Sequence, residues 1–177
     1  MLYLQVATED ILEMLKNEED VSKVVTTLIT DMSDLFNDAP CSQSATDERD
    51  KAGILAYASI VVFDIDISSW DVSNVTTMKN MFVSLSSNCN DSAGDNGTVF
   101  LTFNQDIGNW NVSKVTDMNG IFLRNYKFNQ DIGNWNVTKV TDMSNMFFSA
   151  FAFNQNINTD GVSWNVCNVT NMSRMFQ

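Results

Sequence analysis

The ten residues FNQDIGNWNV stand at 103–112 and again, unchanged, at 128–137. An identical stretch returning after twenty-five positions restricts the fold more than any composition does. Periods of this length belong to architectures in which each unit is stable only against its neighbours. Alignment on tryptophan gives four copies of one unit, at 63–82, 103–122, 128–147 and 153–176. The last carries four extra residues between Ile157 and Trp164. A weaker copy, VSKVVTTLITDMSDLF, occupies 21–36 and ends in the same way.

Within one unit the apolar positions change period. Trp110, Asn111 and Val112 alternate in the manner of a short half-buried strand, whereas Val115, Met118, Ile121 and Phe122 follow the three- and four-residue steps of a helical or 3₁₀ turn. The expected fold is a leucine-rich-repeat-like solenoid of about five coils, each with one short parallel strand and one such turn. The phenylalanines 103, 128 and 153 and the tryptophans 70, 110, 135 and 164 form its interior columns. A residue that packs or hydrogen-bonds well against its own copy is reused, which accounts for the duplication. Residues 1–20 are expected to be an N-terminal cap, with Thr8 capping a helix that turns Ile11, Leu12 and Leu15 inward. The solenoid then runs over 21–177, with insertions at 37–51 and 84–98.

The motif W-[DN]-V-[ST]-x-V-T-x-M-x-x-M-F, followed after a short gap by FNQ, resembles the repeat of the BspA-like leucine-rich-repeat surface proteins, which also occurs in mycoplasma lipoproteins. The likeness is strong over 63–82 and 103–176, weak over 21–36 and absent from 1–20. It implies a surface-displayed, non-catalytic protein associated with adhesion or recognition. In that frame Ile107, Trp110 and Val112 take the strand leucine positions.

Charge and residue types narrow the function further. Ten basic against twenty-two acidic residues leave a net charge of −12, which repels nucleic acid and anionic membranes. The chain has no histidine, the commonest general base and zinc ligand. No nucleophile, base and orienting group recur at plausible positions, so an enzyme, a cofactor and a metal centre are not expected. Asp106 and Asp131 read as turn hydrogen-bonders rather than an acid/base pair. Asn88, Asn90, Asp91, Asp95 and Asn96 collect oxygen donors in the second insertion, but their spacing matches no calcium loop. No run of apolar residues reaches the length of a membrane span. The first residues lack the basic start and cleavage site of a secretory signal.

Four sets of residues are candidates for function. The exposed face is expected to carry Ser69, Asn109, Asn134 and Ser163 in one column and Asp71, Asn111, Asn136 and Asn165 in the next. It would present a polar, nearly neutral binding surface or a stabilising asparagine ladder. Sequons place candidate glycosylation at Asn74, Asn90, Asn96, Asn111, Asn136, Asn168 and Asn171. Both insertions leave one edge of the stack, so Cys41 and Cys89 are a candidate disulfide, with Cys167 free. The threonines 76, 116, 141 and 170 form one column, a poor match to the flat two-column arrays that bind ice, which leaves ice binding as a remote alternative. The expected partner is a protein or glycan on a surface. Alternatively, further copies or repeats stack at the C-terminal end to build a surface coat or extracellular filament, since the residues after the final MF motif supply no cap.

Overall fold

The computed structural model describes residues 8–16, 19–36, 66–84, 103–157 and 164–177. Pairing between copies centres on the V-T-D-M segment. Val115 and Met118 are fully buried while Thr116 between them is exposed. There the main chain meets its neighbours in isolated parallel bridges, from Asp31 to Thr77, Thr77 to Asp117, Asp117 to Asp142 and Asp142 to Asn171. These five positions are equivalent in the repeat, so the five copies stack in register.

Two rows of main-chain bonds fix that register. The amides of Thr76, Thr116, Thr141 and Thr170 donate back to the carbonyls of Thr30, Thr76, Thr116 and Thr141, each at 2.8 Å. Past the bridge the direction reverses and every second amide donates forward. Met118, Gly120, Phe122 and Arg124 donate to the carbonyls of Asp142, Ser144, Met146 and Phe148. The forward row runs through left-handed residues: Asp34, Asn80, Gly120, Asn145 and Arg174 share φ of 54 to 60°. Such residues break the pleat while keeping their N–H groups on the edge, which is why the segment pairs without becoming an extended strand. Asn, Asp and Gly are the types that adopt this conformation at least cost. At Gly120 a Cβ would also lie 2.6 Å from the Asn80 side-chain oxygen.

The strand expected at Trp110–Val112 is not where copies pair; the bridge falls seven residues after each tryptophan. The alternation itself is present, since Trp110 and Val112 are buried and Asn111 is exposed. What prevents a ladder there is local hydrogen bonding. The Trp110 amide donates to the Ile107 carbonyl at 3.1 Å and the Val115 amide to Val112 at 2.9 Å, closing two successive tight turns. Side chains reinforce them. Oδ1 of Asp106 accepts from the Gly108 amide, Oδ1 of Asn111 from Ser113, and Oδ1 of Asp117 from Asn119. An Asp or Asn that bonds the amide two residues on holds its turn against the alternative ladder. Nor do Val115, Met118 and Ile121 share one helical turn, because the bridge separates the first from the others and a single turn joins Met118 to Ile121.

The interior is aromatic and continuous. Phe36, Phe82, Phe122, Phe147 and Phe176 form one stack with centroids 5.3 to 5.8 Å apart. The phenylalanine that opens each FNQ lies on the last phenylalanine of the preceding copy: Phe103 on Phe82 at 4.0 Å, Phe128 on Phe122 at 3.7 Å and Phe153 on Phe147 at 4.0 Å. Trp70, Trp110 and Trp135 stack on Phe36, Phe82 and Phe122. Their buried indole N–H groups donate to Val21, Ile67 and Ile107 carbonyls, and that of Trp164 to Ile132. Each tryptophan thus satisfies its one polar atom in the copy before it.

The polar part of FNQ works the same way. The side-chain oxygen of Asn104 accepts from the Asn129 amide and that of Asn129 from Asn154, both at 2.8 Å. Gln130 and Gln155 donate to the carbonyls of Asn104 and Asn129. Gly108 is small because the next copy passes over it, and a Cβ there would lie 2.4 Å from the Asp131 carbonyl oxygen.

One helix covers the first copy. Helix α1, Thr8–Lys16, carries Glu9 and Asp10 in its first turn, where carboxylates favour the dipole. Ile11 is fully buried and Met14 packs against the core. Thr8 does not act as the expected N-cap. It is the first helical residue, and its hydroxyl donates to the Asp31 carbonyl at 2.9 Å, tying the helix to the edge of the 21–36 copy. A 3₁₀ turn at Val21–Lys23 follows, capped by Asp20.

Two outcomes follow from these bonds. Trp135→Phe removes the indole bond to Ile107 and part of a buried ring, and should lower unfolding free energy in urea by about 2 kcal/mol with an unchanged fold. Asp71 holds a turn closed by Asn in the other copies. Bonds from the Ser73 hydroxyl and amide, with lesser help from Thr27 and the Lys114 charge, hold its carboxyl below the ordinary value of 3.8 against the opposing effect of burial. Its contribution is therefore complete above that value and lost as pH falls through the lower folded one. Thermal melts of Asp71→Asn should match the parent near pH 7 to within about 0.5 kcal/mol. Between pH 5 and pH 2.5 the variant should lose less stability than the parent.

Candidate functional site

The two outward columns that flank the tryptophans are where the sequence places a binding face. Ser69, Asp71, Asn109, Asn111, Asn134 and Asn136 are exposed and Asn165 is half-buried, whereas Ser163 lies outside the described residues. Five of these residues commit a side-chain oxygen within the stack. Ser69 donates to the Ser22 carbonyl at 3.2 Å. Asp71, Asn111, Asn136 and Asn165 accept from the amides of Ser73, Ser113, Thr138 and Cys167. The second column is therefore a row of turn closures, one in each of the four tryptophan-bearing copies, rather than a ladder of side chains bonded to one another.

Asn109 and Asn134 are different. They are exposed, occupy equivalent positions in adjacent copies, and make no hydrogen bond within the protein. Each free carboxamide offers two donors and one acceptor with two lone pairs. Beside them, Asn111 and Asn136 use their oxygens in turns and leave their side-chain nitrogens unbonded. The result is a neutral patch of four amide groups in two registers, suited to ligands rich in hydroxyls or peptide groups. Charge flanks it: Asp106 and Asp131 close turns on the residues before Asn109 and Asn134, and Lys114 donates to the Asn74 side-chain oxygen at 2.6 Å.

Hydrogen bonding also sorts the sequons. Asn74, Asn168 and Asn171 donate their side-chain nitrogens to the Thr27 carbonyl, the Thr138 carbonyl and the Asp142 carboxylate. A glycan there would have to displace a bond between copies. Asn111 and Asn136 alone among the described sequons present a free nitrogen. Asn90, Asn96, Cys41, Cys89 and the calcium-type oxygens 88–96 lie outside the described residues; Cys167 is exposed and free. The threonine column does not present free donors, because the hydroxyls of Thr76, Thr116, Thr141 and Thr170 donate to the preceding copy at 3.0 to 3.1 Å. Asp106 and Asp131 close turns through Gly108 and Gly133.

One exposed feature is absent from the sequence reading. Tyr126 and Phe151, in the short links between copies, stack with centroids 5.4 Å apart, and Phe151 is 78% exposed. Their equivalent positions, twenty-five residues apart, are the signal that would have paired them. Both links read as spacers because their residues differ. Of the other exposed apolar groups, Leu28 lies in the 21–36 copy and Met172 and Phe176 in the 164–177 copy.

Among the described residues no helix is long and apolar enough to cross a membrane, and no group of three or more His, Cys, Asp or Glu is placed to hold a metal ion. No curated protein and no solved structure matches the chain. A family model described as Mycoplasma protein of unknown function, DUF285, matches twice, over residues 7–98 and 96–177. Its two matches each take in more than one of the stacked copies, and together they span almost all of the sequence. The chain belongs to the DUF285 family of Mycoplasma proteins of unknown function.

Proposed function

We propose that this chain is a BspA-like, leucine-rich-repeat-like solenoid that serves as a non-catalytic recognition or adhesion module at an extracellular or cell surface. The observation that carries the reading is the pair of uncommitted carboxamides at Asn109 and Asn134, on a face where the neighbouring oxygens are engaged in turns. Many polar side chains of the repeat hold one copy to the next or close a turn, whereas Asn109 and Asn134 are exposed, uncommitted and in matching registers on one face. A protein main chain or a glycan hydroxyl array supplies the complementary groups. The likeness of the W-[DN]-V-[ST] motif to surface-protein repeats supports the surface setting, and the −12 charge disfavours nucleic acid.

A second reading is a structural subunit of a surface coat or extracellular filament, which suits a repeat that bonds one copy to the next through main chain and side chain alike. Glycans on Asn111 and Asn136 would cover the amide patch and shift the balance toward this role. Ice binding is the weakest reading, because the threonine hydroxyls are already donating within the stack.

The test is an array of glycans and extracellular proteins probed with the purified chain. Binding is expected, and the double variant Asn109→Lys, Asn134→Lys should weaken it about tenfold or more, roughly 1.4 kcal/mol, at an unchanged melting temperature. Binding that the variant leaves intact would remove the amide patch from the site, and a blank array would count against recognition altogether.

A further inference from the structure

One position of the repeat trades a bond within the stack for an exposed charge. Four residues after the tryptophan, Asn74 and Asn168 donate their side-chain nitrogens to the turn carbonyls of Thr27 and Thr138 in the preceding copy, both at 2.7 Å. The two copies between them carry Lys114 and Lys139 there, exposed and without that bond. Asp117 bridges Asp142 in parallel and the Thr141 amide donates to Thr116, so the two lysines stand in matching registers of adjacent coils, about 4.8 Å apart along the stack. Their surroundings differ. Lys114 has partners in the copy before it: it donates to the Asn74 side-chain oxygen at 2.6 Å, and its charge acts on the Asp71 carboxylate. At the equivalent places before Lys139 the stack sets Lys114 and Asn111, a second cation and a neutral amide. Among the described residues Lys139 makes no hydrogen bond or ion pair.

We propose that Lys139, with the free side-chain nitrogens of Asn111 and Asn136, binds a carboxylate carried by a glycan. The inference rests on the recognition reading of this face and adds the charge of the ligand. A carboxylate accepts from an ammonium group and from amide nitrogens at once, and it takes the place toward Lys139 that Asp71 holds toward Lys114. Its arrival also offsets the repulsion between the two lysines. The remainder of the ligand lies along Asn109 and Asn134, whose carboxamides match hydroxyl groups. A peptide is less suited, because the copies at 103–122 and 128–147 expose no large apolar side chain for its residues to cover. Nor does a densely sulfated chain fit. The −12 net charge, and the Asp106 and Asp131 carboxylates that precede Asn109 and Asn134, repel a run of negative charges. Isolated carboxylates on an otherwise neutral sugar chain are the match.

The probe is a hyaluronan oligosaccharide, in which glucuronates alternate with neutral sugars, titrated into the full chain beside its carboxyl-reduced form. The acid form should bind and shift the side-chain amide resonances of Asn111 and Asn136, and the reduced form should bind about tenfold or more weakly. Lys139→Gln should remove the preference for the acid form at an unchanged melting temperature, since the side chain is exposed, and Lys139→Arg should keep it. Equal binding of the two forms, or a preference that survives Lys139→Gln, would overturn the inference while leaving the amide patch as a recognition site. Binding of neither form would overturn it too, and the array would then decide the recognition reading by itself. A peptide of glycine, serine and glutamate bound as tightly as the acid form would also overturn it, with an acidic protein as the occupant.

Discussion

The structure depends on hydrogen bonds that run from each copy to the equivalent group of the next. Thr116 bonds Thr76 and is bonded by Thr141; Asn129 bonds Asn104 and is bonded by Asn154. A single such bond is worth only about 0.5–1.5 kcal/mol net. The set repeats at every interface, however, and leaving its buried members unpaired would cost more than forming them gains. Stacked rings add about 0.5–1.5 kcal/mol per pair beyond their buried area. Stability therefore resides at the interfaces between copies rather than within any copy.

This location of the stability explains the unchanged decapeptide. In FNQDIGNWNV the Phe stacks on the previous copy, the Asn side chain accepts from the next copy's amide, the Gln side chain donates to the previous copy's carbonyl, and Asp closes a turn. Gly makes room for the next copy, and Trp donates to the previous one. The same logic separates structure from function on the surface. Many polar side chains of the repeat have an internal partner, and Asn109 and Asn134 are exposed positions that have none.

Much of this was legible in the residues. The twenty-five-residue period, the buried tryptophan, methionine and phenylalanine columns and the covering helix all follow from apolar spacing, which reports burial. Spacing does not report hydrogen-bond direction. The run Trp110–Val112 alternates in burial like a strand but is folded into turns by Asn111 and its equivalents, and the pairing falls instead at Asp117. The left-handed column at Asn80, Gly120 and Asn145 was visible only as a tolerant pair of positions in M-x-x-M-F. Its preference for Asn, Gly and Asp is a backbone signal that hydrophobic periodicity passes over. The aromatic pair Tyr126–Phe151 was hidden because the two links differ in every neighbouring residue.

The most direct measurement of whether interfaces between copies carry the stability is to insert one more copy of residues 103–127 between 127 and 128. Every new interface would then repeat one that exists already. A stack held in this way predicts a chain that unfolds cooperatively at a higher urea concentration than the parent, with a larger dependence on denaturant. An inserted chain that unfolds at a lower concentration, or in separate steps, would contradict it.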